Sequence, residues 1–339
     1  MGKRVFAPPD SNLAHLLLKR NDEMLWIILV LIYGIIKGLR EVLKKKALER
    51  NTTLEVLLMY TILSFLIVTP EIRNAGGVEP KVLLFVAVKS LTIFFAWRCG
   101  FEALSKLPVS LFGVLDLARV AFSMLLGMIV LHETMGFNQI AGLVLVVAGL
   151  LLLQRQTVRI SKLVGGPAAA RDSSHSQSGS EKNTDRSGHR ISFFVILALS
   201  SSLLNAVSAL FDKLLMTHTA ITDGQLQFWY MLFLTVYYLL FALFKTVLTK
   251  DPSFVINWRS AIRNYWIWIL AVLFVIADRC LFIANADPAS KVTVMTLIKQ
   301  SGVIFAIICG KFMFREKNTG YRMVCALIIL AGIFISVLQ

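Results

Sequence analysis

Lys299 stands near the middle of Val292–Phe314, an apolar stretch long enough to cross a bilayer. A charge at that depth costs about 3 kcal/mol on insertion scales, so it calls for a partner or a task. The chemistry open to a buried ammonium is capture of an anionic group. Asp116 occupies a similar place in residues 109–131 and is the natural acid to balance Lys299 when a site is empty. Thr296, Lys299 and Gln300 share one helical face by i, i+3, i+4 spacing. So do Asn205, Ser208 and Asp212, and so do Lys37, Arg40, Glu41 and Lys44. Polar stripes on otherwise apolar helices should face a wet cavity rather than lipid. Arg98 and Arg279 lie nearer to helix ends, where they either snorkel to headgroups or act as gates with Glu102 and Asp278. Lys89 is deep in its segment and has no evident partner in the sequence. Blander readings stay open: a permanent ion pair, Asp116 paired locally with Arg119, a first stripe that is solvated beyond Leu39, and an interfacial Asp212–Lys213 pair.

These residues must be carried by membrane helices. Of 339 residues, 57% are hydrophobic and 16% charged, against about 25% charged in soluble domains. Ten apolar segments can be read, near 24–43, 54–70, 82–104, 108–131, 138–154, 192–216, 225–248, 264–286, 290–314 and 320–338. The expected fold class is thus an all-α polytopic membrane protein of ten transmembrane helices. Residues 1–23 read as a polar N-terminal tail with no cleavable leader, and the first apolar run is expected to stay as a helix. Residues 155–191, rich in Ser, Gly and charge, read as a flexible linker between a first unit at 24–154 and a second at 192–339.

The net charge of +15 sits mostly in short connections between apolar runs, which argues for headgroup contact and against nucleic acid. Lys and Arg concentrate in the connections after segments 1, 3, 5, 7 and 9. That bias places the linker in the cytoplasm and both termini outside. On this orientation the sequon Asn51-Thr52-Thr53 faces the cytoplasm and should stay unmodified. The four cysteines, Cys99, Cys280, Cys309 and Cys325, lie in apolar runs without metal-ligand spacing and read as packing residues. Neither a metal nor a cofactor is expected, and a nucleotide-binding loop is not found.

The chain repeats itself. Ala96, Arg98, Cys99, Phe101 and Ala103 recur as Ala277, Arg279, Cys280, Phe282 and Ala284. Phe122, Gly127, Glu133 and Gly149 recur at one offset as Phe305, Gly310, Glu316 and Gly332, and Asp116 maps onto Lys299 at the same offset. Five helices per unit force the second unit to insert upside down. The expected result is an inverted repeat about an axis in the membrane plane, with any site near the midplane.

The ends of both units, GMIVLHETMGFNQIAGLVLVVAG at 127–149 and GKFMFREKNTGYRMVCALIILAG at 310–332, carry a glycine, a glutamate six residues on, and then a glycine-bearing helix. This pattern resembles EamA-type proteins of the drug/metabolite transporter superfamily over both units. The second unit, with Ala209-Leu210-Phe211-Asp212-Lys213 and Phe314-Arg315-Glu316-Lys317-Asn318, is similar to a bacterial EamA subgroup without an assigned substrate. Many relatives have proline 13 residues before each glutamate, whereas Val120 and Val303 stand here, which puts the associated helix kink in doubt. The placement of Lys299 is similar to that of a phosphate-binding basic residue in phosphosugar carriers of the superfamily.

The resemblance implies a secondary transporter in the bacterial inner membrane, working by alternating access and not an enzyme. The basic excess within the segments points to an anionic or zwitterionic solute. Candidate solute-binding residues are Lys299, Asp116, Thr296, Gln300, Arg98, Arg279, Lys89, Asn205 and Asp212. Candidate coupling or gating residues are Asp116, Asp278 and Glu102, with proton coupling and anion exchange both open. The partners expected are the solute and the lipid bilayer, with a homodimer left open. A flippase for a lipid-linked substrate and a non-transporting scaffold subunit are the alternatives. A lipid-modifying enzyme would need a clustered nucleophile or metal site, and His132 with Glu133 is isolated.

Overall fold

The computed structural model describes residues 11–131, 136–164, 180–249, 256–286 and 292–337, and those residues are helical apart from short connections. The helices are α1 (Ser11–Leu48), α2 (Thr53–Val68), α3 (Pro80–Lys106), α4 (Val109–Asp116), α5 (Ala118–Leu131), α6 (Phe137–Val164), α7 (Ser180–His218), α8 (Asp223–Thr249), α9 (Trp258–Arg263), α10 (Tyr265–Ala286), α11 (Val292–Phe314) and α12 (Thr319–Val337). The expected apolar segments fall on helices, the fourth of them on two, α4 and α5. Helices α1, α6 and α7 reach beyond the apolar runs into the expected tail and linker.

Starts and stops follow local chemistry. Thr52 and Glu55 form a reciprocal capping box on α2, and Pro80 opens α3 at the first position, where its missing N–H costs nothing. A 3₁₀ stretch, Thr69–Asn74, follows α2 and carries Glu71. The fourth segment is interrupted at Leu117, where Leu117 and Val120 make three-residue backbone bonds of 3.2 and 3.0 Å to Val114 and Leu117. The Ser202 hydroxyl of α7 donates to the Leu115 carbonyl at 3.3 Å beside this break. The interruption therefore occurs without proline, and Val120 itself lies on the far side of it.

Polarity is inverted relative to a soluble protein. On α3, Leu84, Phe85, Val88, Leu91 and Phe95 form an exposed apolar stripe, while Lys89 on the opposite face is 3% exposed. Six stretches of described helix are long and apolar enough to cross a membrane by length and composition: Thr53–Asn74, Pro80–Lys106, Val109–Val130, Ile191–Asp212, Asp223–Val247 and Thr319–Ser336.

The packing order is reciprocal between the two units. Helix α3 runs against α7 and α1 against α10; α1 meets α11 while α4 and α5 meet α7; α2 meets α10 while α3 meets α8. The self-pairs are α2 with α8, α4 with α11 and α6 with α12. These pairs are the ones a two-fold relation between the two units would give, whereas the α6–α7 and α4–α12 contacts have no such counterpart. One contact shows it at residue scale. A Cβ on Gly142 would lie 2.4 Å from the Gly332 carbonyl oxygen, and the repeat images of these two residues, Cys325 and Gly149, also face each other. Close approach at such small residues is how helices pack where lipid supplies no hydrophobic drive.

The aromatics of α8 serve this packing. Tyr237 and Tyr238 donate to the Ala87 and Phe94 carbonyls of α3 at 3.1 and 3.0 Å, and Trp229 donates to the Ala75 carbonyl at 2.9 Å.

Candidate functional site

Helix α1 is the organiser of the site. Gly34 and Gly38 form a G-x-x-x-G pair, and a Cβ on Gly38 would sit 2.3 Å from the Gly302 carbonyl oxygen of α11. That crossing brings Lys37 within reach of two elements at once. Its ammonium donates to Gln300 Oε1 at 2.8 Å and pairs with Asp116 at 3.2 Å. Asp116, at the C-terminus of α4, also has Arg119 at 3.7 Å.

Beyond this trio α1 continues to Leu48, so its stripe is not a solvated helix end. Lys37, Arg40, Glu41 and Lys44 line a cavity of about 100 Å³ together with Tyr33 of the same helix. Helix α3 contributes Trp97, Gly100, Phe101 and Leu104; α4 and α5 contribute Phe112, Asp116 and Arg119; α7 contributes Ser201 and Asn205. Four cations thus face two carboxylates. The Arg40 guanidinium donates to the Tyr60 hydroxyl at 3.2 Å and lies 4.6 Å from the Phe274 ring centroid. Tyr60, Trp97, Phe101 and Phe274 form an aromatic cluster with centroids 5.3 to 6.1 Å apart. Lys44 pairs with Glu41 at 2.7 Å and lies 5.3 Å from the Phe101 ring.

Two polar atoms of the cavity are left over. Arg40 Nε and Glu41 Oε2 are buried without a hydrogen-bond partner among the described residues. A buried donor and a buried acceptor on adjacent residues form an unsatisfied pair, of the kind that costs about 1–3 kcal/mol per group and that a bound solute relieves.

The remaining expected residues fall into separate groups. Asp116 and Asn205 line the cavity, Asn205 donating to the Ser201 carbonyl at 2.9 Å, and Gln300 holds Lys37 from behind. Lys299 does not balance Asp116, because Lys37 enters between α4 and α11 and takes that role. The charges close enough to act on Lys299 are Arg119 and Asp278. The Thr296 side chain lies outside the described residues, as do His132 and Glu133. Lys89 finds the partner that the sequence hid: it pairs with Asp212 at 2.5 Å where α3 runs along α7, and it lies 4.4 Å from the Tyr230 ring. Tyr230 in turn donates to Asp278 at 3.2 Å.

Arg98 pairs along its own helix with Glu102 at 3.0 Å. Arg279 pairs with Glu71 rather than with Asp278, since the 3₁₀ stretch after α2 presents Glu71 to the end of α10. Glu316 has a structural role. Its carboxylate accepts from the N–H groups of Val109 and Ser110 at 2.6 and 3.1 Å, capping α4, and pairs with Arg322 at 3.1 Å.

Residues 24–155 match the family model of the EamA-like transporter family. That stretch contains α1 from its apolar start through α5 and most of α6, and so most of the cavity wall. Residues 24–155 are thus similar to the EamA-like transporter family. The family that this stretch resembles is a transporter family. A solved crystal structure of another protein superposes with a TM-score of 0.54 at 14% identity, over 94% of this chain and 98% of that one. At that identity the likeness shows the fold alone. No curated protein matches.

Lys299 and Asp116 stand out in the sequence, whereas the α1 stripe is open there to either a buried or a solvated reading. The missed signal was the Gly34-x-x-x-Gly38 pair, which marks α1 as a buried, closely packed helix and its charged stripe as interior.

Proposed function

We propose that the chain is a secondary transporter of a small anionic or zwitterionic metabolite, with the cavity between α1, α3, α4, α5 and α7 as its solute site. The observation that carries this reading is the lining itself: Lys37, Arg40, Lys44 and Arg119 against Glu41 and Asp116, with Arg40 Nε and Glu41 Oε2 unpaired. An anionic group gains from the net positive lining, and an ammonium on the same solute would be received by Glu41. Lys299, beside Arg119, adds a further cation from the second unit. The aromatic cluster offers an apolar wall to the rest of the solute.

In this reading, alternating access between inverted repeats opens the cavity to one side of the membrane and then the other. Asp116 is held by two cations, whereas Asp278 receives only the Tyr230 hydroxyl among the described side chains. In this reading Asp278 is the better candidate for proton coupling, and the Arg98–Glu102 and Arg279–Glu71 pairs are gates toward opposite ends. The linker and the Lys/Arg-rich connections are cytoplasmic, and the membrane is a bacterial inner membrane.

Counterflow into proteoliposomes tests the proposal, using phosphorylated sugars, nucleotides, amino acids and organic cations as the panel. An anion or zwitterion is expected to move with wild type and at least about tenfold more slowly with Arg40→Gln, the loss of a charge-assisted bond. Flux of organic cations alone, or no flux of any solute, would overturn it.

A further inference from the structure

A basic groove outside the cavity lies where the corner between α1 and α2 meets the short helix α9. Its volume is about 310 Å³, and its lining is Arg50, Asn257, Arg259, Ser260, Arg263 and Asn264. The three arginines are exposed, and none has a carboxylate within ion-pair distance among the described residues. Asn51, Glu55 and Asn264 beneath it are buried. Asn51 donates to Ser260 Oγ at 3.0 Å, Asn264 donates to Asn51 Oδ1 at 2.8 Å and to the Ala47 carbonyl at 3.1 Å, and the Asn257 N–H donates to Glu55 at 2.8 Å. This network pins α9 to the corner and fixes Arg259 and Arg263, four residues apart, on its outer face beside Arg50.

A lipid-facing stripe begins at the same place. Trp258 and Ile262 on α9 are about half exposed, and they continue into Tyr265, Trp268, Val272 and Ile276 of α10, all exposed and at helical spacing. Trp268 donates to the Ile262 carbonyl at 3.0 Å, joining the two helices along that line. Tryptophan and tyrosine at the head of an apolar stripe mark the membrane interface. A cationic groove on top of such a stripe matches a molecule with an anionic phosphate head and long acyl tails.

We propose that the groove of Arg50, Arg259 and Arg263 is a binding site for one anionic phospholipid, its phosphate among the guanidiniums and its acyl chains along Tyr265, Trp268, Val272 and Ile276. The cation–π contact of Arg50 with Tyr265, at 5.9 Å, links the two parts of the site. The proposal is independent of the transport reading.

The full chain in detergent is titrated with phosphatidylglycerol, phosphatidylcholine or inorganic phosphate, following its melting temperature and counting bound lipid by native mass spectrometry. Phosphatidylglycerol is expected to stabilise wild type and to be retained at one molecule per chain, whereas phosphatidylcholine and inorganic phosphate do neither. Apparent affinity should fall roughly fivefold for each arginine replaced in the series ending in R50Q/R259Q/R263Q, and survive in R50K/R259K/R263K. Equal retention of phosphatidylcholine, unchanged affinity in the glutamine series, or equal stabilisation by inorganic phosphate would each overturn the site. Should the triple variant not fold, Arg259→Gln and Arg263→Gln alone decide, and unchanged affinity in both overturns it.

Discussion

Asp116 faces two cations, Lys37 at 3.2 Å and Arg119 at 3.7 Å, in surroundings that penalise any uncompensated charge. Removing different members of this trio should therefore have unequal costs. Lys37→Met leaves Asp116 balanced by Arg119 and is expected to destabilise by about 1 kcal/mol, whereas Asp116→Asn strands two cations and is expected to cost about 3 kcal/mol. Thermal unfolding of the two variants in detergent checks the order, and a larger loss for Lys37→Met would contradict it. The repeat made Asp116 legible as a buried acid, because its image is Lys299. It could not show the partner, since Lys37 reaches Asp116 from another helix nearly 80 positions away in the chain. Lys89 is a parallel case, its partner Asp212 lying in the other unit. Pairings of this kind are fixed by helix packing and leave no local mark in sequence.

At the scale of elements, α1 is positioned by its glycines. A Cβ on Gly302 would lie 2.2 Å from the Gly34 carbonyl oxygen, a distance that only backbone separation can relieve. Gly302→Ala is expected to cost about 1–3 kcal/mol by overpacking and to draw Lys37 away from Gln300 and Asp116. Gly320→Ala, with nothing within 4 Å of the added methyl, should stay within about 0.5 kcal/mol of wild type. Comparing their melting temperatures checks this, and equal effects would remove the crossing from the account. The existence of the helices was readable from apolar runs of near-spanning length. Their ends were less so: α1 and α7 carry polar flanks that remain helical, and α4 stops at Leu117 without the proline or glycine that would announce a break.

For the whole molecule, the residues that recur at one offset raise the expectation of two inverted units, since an odd number of helices in each would turn the second upside down. The reciprocal helix pairs and the Gly142–Gly332 contact fit that expectation. Orientation rests instead on the distribution of Lys and Arg. A cysteine placed at Ser178 is expected to resist an impermeant thiol reagent in intact cells and to react once the membrane is opened; labelling in intact cells would reverse the topology.

The central claim is that the charged cavity of α1 binds an anionic or zwitterionic solute, and melting of the purified chain against a panel of phosphorylated sugars, nucleotides, amino acids and organic cations tests it most directly. Stabilisation by at least one anion or zwitterion is expected, and its loss in Arg40→Gln. Stabilisation by organic cations alone, or by an anion equally in wild type and Arg40→Gln, would contradict it.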